Sequence, residues 1–210
     1  MTDTPADSIY LVAAHPDWRN SRITRRLLDA ARSMPSVDVN DLYTSYPDYA
    51  LDVQAEQTRL QRASLVALMF PLYWYSAPAL LKLWLDEVLT YGWAYGQSQC
   101  ALAGKTLWLA TSGGGPEASY QPSGYNRHRL DEFLIPWQQM AHLCAMNYAP
   151  PLTLLGARSA SEATLDTHIN AFTQALNTWP QWATHQTANT DASAPEGVWV
   201  PATDRQAASA

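Results

Sequence analysis

Apolar residues follow two rhythms along this chain, short unbroken runs and stripes at spacings of three and four, and the two alternate. Ile9-Tyr10-Leu11-Val12-Ala13-Ala14 is an unbroken run ended by His15-Pro16, and 65–70 is another ended by Pro71. A third lies at 106–110 and gives way to Thr111-Ser112-Gly113-Gly114-Gly115. Unbroken runs of this length are what strands buried on both faces of a parallel sheet look like. Val37, Val39 and Leu42 alternate as a further strand, and 152–155 reads as the fifth. Between the strands come the helical stripes. Ile23, Leu27, Leu28 and Ala31 follow Ser21, a good N-cap. Residues 55–62 carry a polar helical pattern; Pro78 opens a helix through Leu80, Leu81, Trp84, Leu85, Val88 and Leu89. After an irregular stretch to about Arg127, Leu130, Phe133, Leu134, Trp137, Met140 and Leu143 mark another helix, and 162–176 closes the series.

Strands alternating with helical segments mean βαβ units, hence an open parallel sheet with helices on both faces. Five strands fit the flavodoxin-like order 2-1-3-4-5. The chain of 210 residues then holds one α/β domain over 1–182, followed by a low-complexity tail at 183–210, rich in Ala, Thr, Ser, Asn, Gln and Pro, that is expected to be mobile. Val198-Trp199-Val200 is its one apolar patch, either folding back or solvated. Charged residues make up 15% of the chain, against an average of about 25%, so most of it folds. A net charge of −6 has the wrong sign for a phosphate-backbone binder, and no nucleic-acid partner is expected. Cys100 and Cys144 lack paired spacing, so both are expected reduced; no segment reads as a membrane span or secretory leader, so a cytoplasmic location is expected. No histidine has a second ligand at metal spacing, and no metal site is expected. Nine Trp and 11 Tyr exceed what core filling usually asks, and aromatic walls of a flat ligand's pocket account for them.

In such a sheet ligands bind beyond the carboxyl ends of the strands, so the loops after strands one, three and four matter most. The first holds His15 and then Ser21, Arg22, Ile23 and Thr24, where backbone N–H groups, hydroxyls and a guanidinium could meet a phosphate; an ordinary capped helix is the alternative. The second, Pro71, Leu72, Tyr73, Trp74, Tyr75, Ser76, Ala77 and Pro78, packs three aromatics between two prolines and suits the face and edge of a heterocycle; core packing is the alternative for some rings. The third, Thr111, Ser112, Gly113, Gly114 and Gly115, lets backbone approach a ligand closely. Together they suit a flat ring with a phosphate tail, a description FMN meets. No GxxxxGK or GxGxxG pattern supports ATP or a tightly held dinucleotide.

From about Ile9 to Leu176 the chain resembles the NAD(P)H:quinone oxidoreductase family of flavodoxin-like flavoproteins. The resemblance rests on AHP followed by SRIT, LYTSYPDYALDVQAEQ at 42–57, PLYWYSAPALLKLWLDEVLTYGWAYG at 71–96, LAGK at 102–105 and TSGGGPEASY at 111–120. Tyr46-Pro47-Asp48 and the long aromatic motif are most similar to the bacterial branch serving as ancillary subunits of glutathione-gated potassium-efflux antiporters. The resemblance implies a homodimer that takes a hydride from NADH or NADPH onto FMN and reduces a quinone by a ping-pong route. It also implies, as the alternative, a regulatory subunit peripheral to an antiporter at the inner face of the membrane. It places the FMN phosphate and ribityl chain on His15 and 21–24, the ring on 72–75, and the ring's N1 and O2 edge on backbone N–H groups of 111–114. Tyr120 matches the family's active-site tyrosine. Asn126 stands where the larger animal enzymes have an active-site histidine, with His128 two residues on, so a histidine proton relay is not carried over. The FAD-binding extension of those enzymes is missing, which favours FMN over FAD.

Overall fold

The computed structural model describes residues 8–96 and 100–183. The fold-back proposed for 198–200, and the tail beyond residue 183, lie outside the described residues.

The elements run β1 (Ile9–Ala13), α1 (Thr24–Arg32), β2 (Val37–Asp41), α2 (Leu42–Ser45), α3 (Val53–Arg62), β3 (Leu65–Pro71) and α4 (Ala79–Val88). Then come β4 (Thr106–Ser112), α5 (Leu130–Leu143), β5 (Asn147–Tyr148), β6 (Leu152–Leu154) and α6 (Glu162–Asn177). The sheet is parallel, in the order β2-β1-β3-β4-β5, and β6 also pairs with β4. The expected order therefore holds, with the fifth position shared by two short strands. Pro150 and Pro151 explain the break, because neither has an N–H to give to β4. Between the pairs Leu107↔Tyr148 and Ala110↔Leu152 the partner strand uses one more residue than β4, as in a bulge.

Side chains alternate between two cores, as the period of two requires. Tyr10, Val12, Val66, Leu68, Phe70, Leu107 and Leu109 face α3, α4 and α5. Ile9, Leu11, Leu65, Ala67, Met69, Trp108 and Ala110 face α1 and α6. All seven residues of β3 are buried, which is why they read as one run. Two boundaries differ from the sequence expectation. Residues 18–20 form a 3-10 turn before the chain enters α1 at Thr24 rather than at Ser21. Leu42, expected to close the second strand, instead opens α2, whose Thr44 hydroxyl donates to the Asp41 carboxylate (2.7 Å).

Four strands end at one level. Ala14 N–H donates to Met69 C=O (2.9 Å), Leu72 N–H to Ser112 C=O (2.8 Å) and Gly113 N–H to Leu154 C=O (2.9 Å), so the loops after β1, β3, β4 and β6 leave from the same edge.

Candidate active site

The loop after β3 reverses in a two-residue turn. Tyr73 N–H donates to Ser76 C=O (3.1 Å) and Ser76 N–H to Tyr73 C=O (3.0 Å), which puts Trp74 at φ 49° and Tyr75 at φ 63°. Turns of this hand favour Asn-Gly, and left-handed backbone costs an ordinary residue about 1–2 kcal/mol. Here two large aromatics adopt it, and Trp74 is 92% exposed. Strain spent on displaying an indole points to a ligand, since folding alone gains nothing from it. Tyr75 is fixed on its other side, stacked on Phe133 (centroids 4.9 Å apart), with its hydroxyl donating to Asn126 Oδ1 (3.2 Å).

Tyr73 couples this loop to the one after β1. Asp17 N–H donates to His15 Nδ1 (3.1 Å), which leaves the ring proton of neutral His15 on Nε2, facing the Tyr73 hydroxyl at 3.4 Å. Burial pushes the His15 pKa down, outweighing the nearby Asp17 and Asp41 charges, so the ring is neutral near pH 7. Trp18 packs on the same ring, 5.3 Å between centroids, and its indole N–H donates to Asp41 (3.1 Å).

Glycine is required in the loop after β4. A Cβ on Gly113 would stand 2.9 Å from both the Tyr120 hydroxyl and Leu155 Cδ2, and one on Gly115 would stand 2.7 Å from Ser119 Oγ. Tyr120 is buried edge-on against Phe133, and burial together with the Tyr75 phenol pushes its pKa up, so it keeps its proton. Among the described residues its hydroxyl has no hydrogen-bond partner, and the buried Thr111 hydroxyl has none either.

The aromatic turn and the Tyr120 segment border a cleft of about 770 Å³, whose lining does not include His15, 21–24 or 111–114. Leu72, Tyr73, Trp74, Tyr75, Tyr120 and Asn126 line it, all six of them site candidates from the sequence. Four further lining residues carry no such signal in the sequence, Pro116, Ser119, Tyr125 and Arg158, and Gly115 joins them as part of the glycine loop. Asn126 ties the wall together: its side chain accepts from Tyr75 and donates to Ser119 Oγ (3.4 Å). His128 pairs instead with Glu132 (2.8 Å) on α5.

Two assigned roles change. The Arg22 guanidinium, expected at a phosphate, donates to the carbonyls of Arg158 (2.8 Å) and Ala160 (3.1 Å) and to Glu162 (3.1 Å), clamping the β6–α6 loop against α1. The amide of Gly113, expected to face a ring edge, is held by Leu154. What remains free suits an anion. Among the described residues the N–H groups of Arg22, Ile23 and Thr24 have no intramolecular partner, and Ser21 Oγ accepts from Arg25 N–H (3.0 Å), which leaves its own proton to give. His15 and Thr24 are buried; Pro71 closes β3, and Thr111 and Ser112 close β4, outside the cleft lining. Gly114 lies under the Arg158 side chain.

Residues 7–176 match the family described as having a flavodoxin-like fold. An uncharacterized NAD(P)H oxidoreductase of Bacillus subtilis, YdeQ, is 41% identical over 162 residues, 77% of this chain and 82% of that one. The glutathione-regulated potassium-efflux system ancillary protein KefG of Cronobacter sakazakii is 40% identical over 164 residues, 78% of this chain and 89% of its own. Among solved structures, general stress protein 14 of Treponema denticola, in complex with FMN, superposes with a TM-score of 0.73 at 36% identity, covering 82% of this chain and 97% of that one. Matched over most of its length in both sequence and fold, the chain belongs to the flavodoxin-like NAD(P)H oxidoreductase family.

Proposed function

We propose that the chain is an FMN-dependent NAD(P)H:quinone oxidoreductase working by a ping-pong route as a homodimer. The observation that carries this reading is the cleft itself, an aromatic wall on a strained turn facing glycine backbone, with unbonded amides at the start of α1 on the same sheet edge. The fit to FMN is supported by the cleft's chemistry, since Gly115 brings bare backbone to its lining opposite the aromatics at 73–75 and unbonded amides lie at the start of α1. When bound, FMN supplies the two-electron carrier between NAD(P)H and the acceptor.

The chain's own residues do the rest. Ser21, the amides of 22–24 and the Thr24 side chain hold the phosphate, while Leu72 and the aromatics at 73–75 cover the ring and exclude water. Tyr120, protonated and without another partner among the described residues, donates a hydrogen bond to an oxygen of the acceptor. Asn126 positions Tyr75 and relays no proton. Hydride transfer asks for stacking and distance more than for a strong acid, so positioning provides most of the rate. Initial rates with FMN-loaded protein, menadione and NADPH test the reading: parallel double-reciprocal lines are expected. Intersecting lines contradict the ping-pong route, and absence of quinone-dependent NAD(P)H oxidation contradicts the reductase.

The Cronobacter relative's name favours a second reading, a regulatory subunit on the cytoplasmic side of a potassium-efflux antiporter. Among the described residues no helix is long and apolar enough to cross a membrane, so this role would be peripheral. Potassium efflux that depends on the protein yet survives loss of turnover would support it; efflux indifferent to the protein would remove it.

A further inference from the structure

Arg158 has no part in the roles above, yet its side chain is aimed at the site. Its Nε, Cδ and Cγ would lie 3.2, 3.6 and 3.7 Å from a Cβ on Gly114, so the stem runs along the glycine loop and the head lines the cleft. The backbone beneath it is held firmly: Ala157 N–H donates to Gly113 C=O (3.0 Å), Gly156 N–H to Gly115 C=O (2.7 Å), and Arg22 donates to the Arg158 carbonyl. The cleft lining contains no Asp or Glu, in a chain that has 19 of them. Among the described residues Arg158 joins no ion pair. Its charge is felt inside the cleft, where burial and then Asp17 push the Tyr73 phenol up and Arg158 pulls it back.

An uncompensated guanidinium beside aromatic faces, in a protein of net charge −6, is a recognition element for an anion. The planar fork matches a carboxylate or sulfonate at two points, and the rings beside it take the flat body of the same molecule. We propose that the cleft selects planar aromatic electron acceptors bearing an anionic group, and that Arg158 recognises that group. This rests on the quinone-reductase reading and narrows its substrate class.

The anion could also be the charge that develops on the reduced cofactor, and a matched pair of acceptors separates the two sources. With FMN-loaded protein, 1,4-naphthoquinone-2-sulfonate and menadione are compared in wild type, Arg158→Gln and Arg158→Lys. The side chain is exposed and Arg22 binds only the backbone carbonyl, so both variants fold. Arg158→Gln raises the KM for the sulfonate about tenfold, the size of a lost charge-assisted hydrogen bond, and changes that for menadione less than about twofold. Arg158→Lys falls between. Calorimetric binding of naphthalene-2-sulfonate, which needs no turnover, weakens in Arg158→Gln by the same factor. Equal changes for both quinones assign Arg158 to the cofactor, no change assigns it to neither, and either result overturns the proposal. If neither quinone is reduced by wild type the reductase reading fails on its own, while the naphthalene-2-sulfonate titration still decides Arg158.

Discussion

The molecule puts tyrosine, tryptophan and asparagine to work in two places, and the contrast separates a structural site from a functional one. In the core facing α3 and α4, the fully buried Glu56 carboxylate accepts from the Tyr10 hydroxyl, Asn40 Nδ2 (2.9 Å), the Tyr46 hydroxyl (2.6 Å) and the Trp84 indole (2.7 Å). Each donor there has its acceptor, and each side chain is locked. In the cleft the balance is reversed: Trp74 and Tyr125 are 92% and 88% exposed, Tyr120 keeps a hydroxyl without a partner among the described residues, and two residues sit in left-handed backbone. Saturated polar groups hold a fold together; unsatisfied ones under strain wait for a ligand.

Substitutions should fall on opposite sides of this divide. Glu56→Ala has the largest effect, because it takes the acceptor from the buried Tyr10 hydroxyl and Trp84 indole, and from Asn40 and the half-buried Tyr46, at a cost of about 3–5 kcal/mol in urea unfolding, while the molecules that remain folded bind FMN normally. Gly113→Ala follows: its Cβ meets Tyr120 and Leu155, lowering stability by about 1–3 kcal/mol and, unlike Glu56→Ala, disturbing the quinone kinetics of the folded protein. Tyr120→Phe leaves unfolding and the spectrum of bound FMN unchanged but reduces kcat/KM for quinone by roughly fivefold, one hydrogen bond's worth. Trp74→Gly has the opposite sign in the two assays. Relief of the left-handed strain raises stability by up to about 1 kcal/mol, as melting will show, while ligand affinity falls.

The smallest effect is that of mild acid. Burial holds the His15 and His168 pKa values below the ordinary 6.5, so the unfolded chain takes up these protons more readily. Their contribution is intact above pH 6.5 and is lost as pH falls through that value toward the folded pKa values, a decline visible in urea midpoints at pH 7 and 5.5.

Most of the fold was legible because β1, β3 and β4 are buried on both faces and leave unbroken apolar runs. The fifth strand was legible only in its second half. Asn147–Tyr148 is too short and polar to register, and its pairing with β4 is a tertiary fact. The cleft's aromatic loop carried a local signal, so Leu72 to Tyr75 could be named from their pattern, whereas Tyr120 and Asn126 came only through the family resemblance. Arg158 carried none, being an exposed arginine in a loop that reaches the site only when β6 joins the sheet. Glu56 was hidden for the converse reason, since a helical glutamate reads as solvent-facing until Tyr10 and Trp84 are seen around it. Arg22 looked like a phosphate ligand by its neighbours in sequence, and its partners proved to be about 140 residues away, where no local pattern could place them.

The most direct test is a titration of purified protein with FMN and, separately, riboflavin, followed by flavin fluorescence. One FMN per chain with strong quenching is the predicted result, with riboflavin at least about tenfold weaker because it lacks the phosphate that the start of α1 should hold. Failure to bind FMN, or riboflavin binding as tightly as FMN, would contradict the assignment.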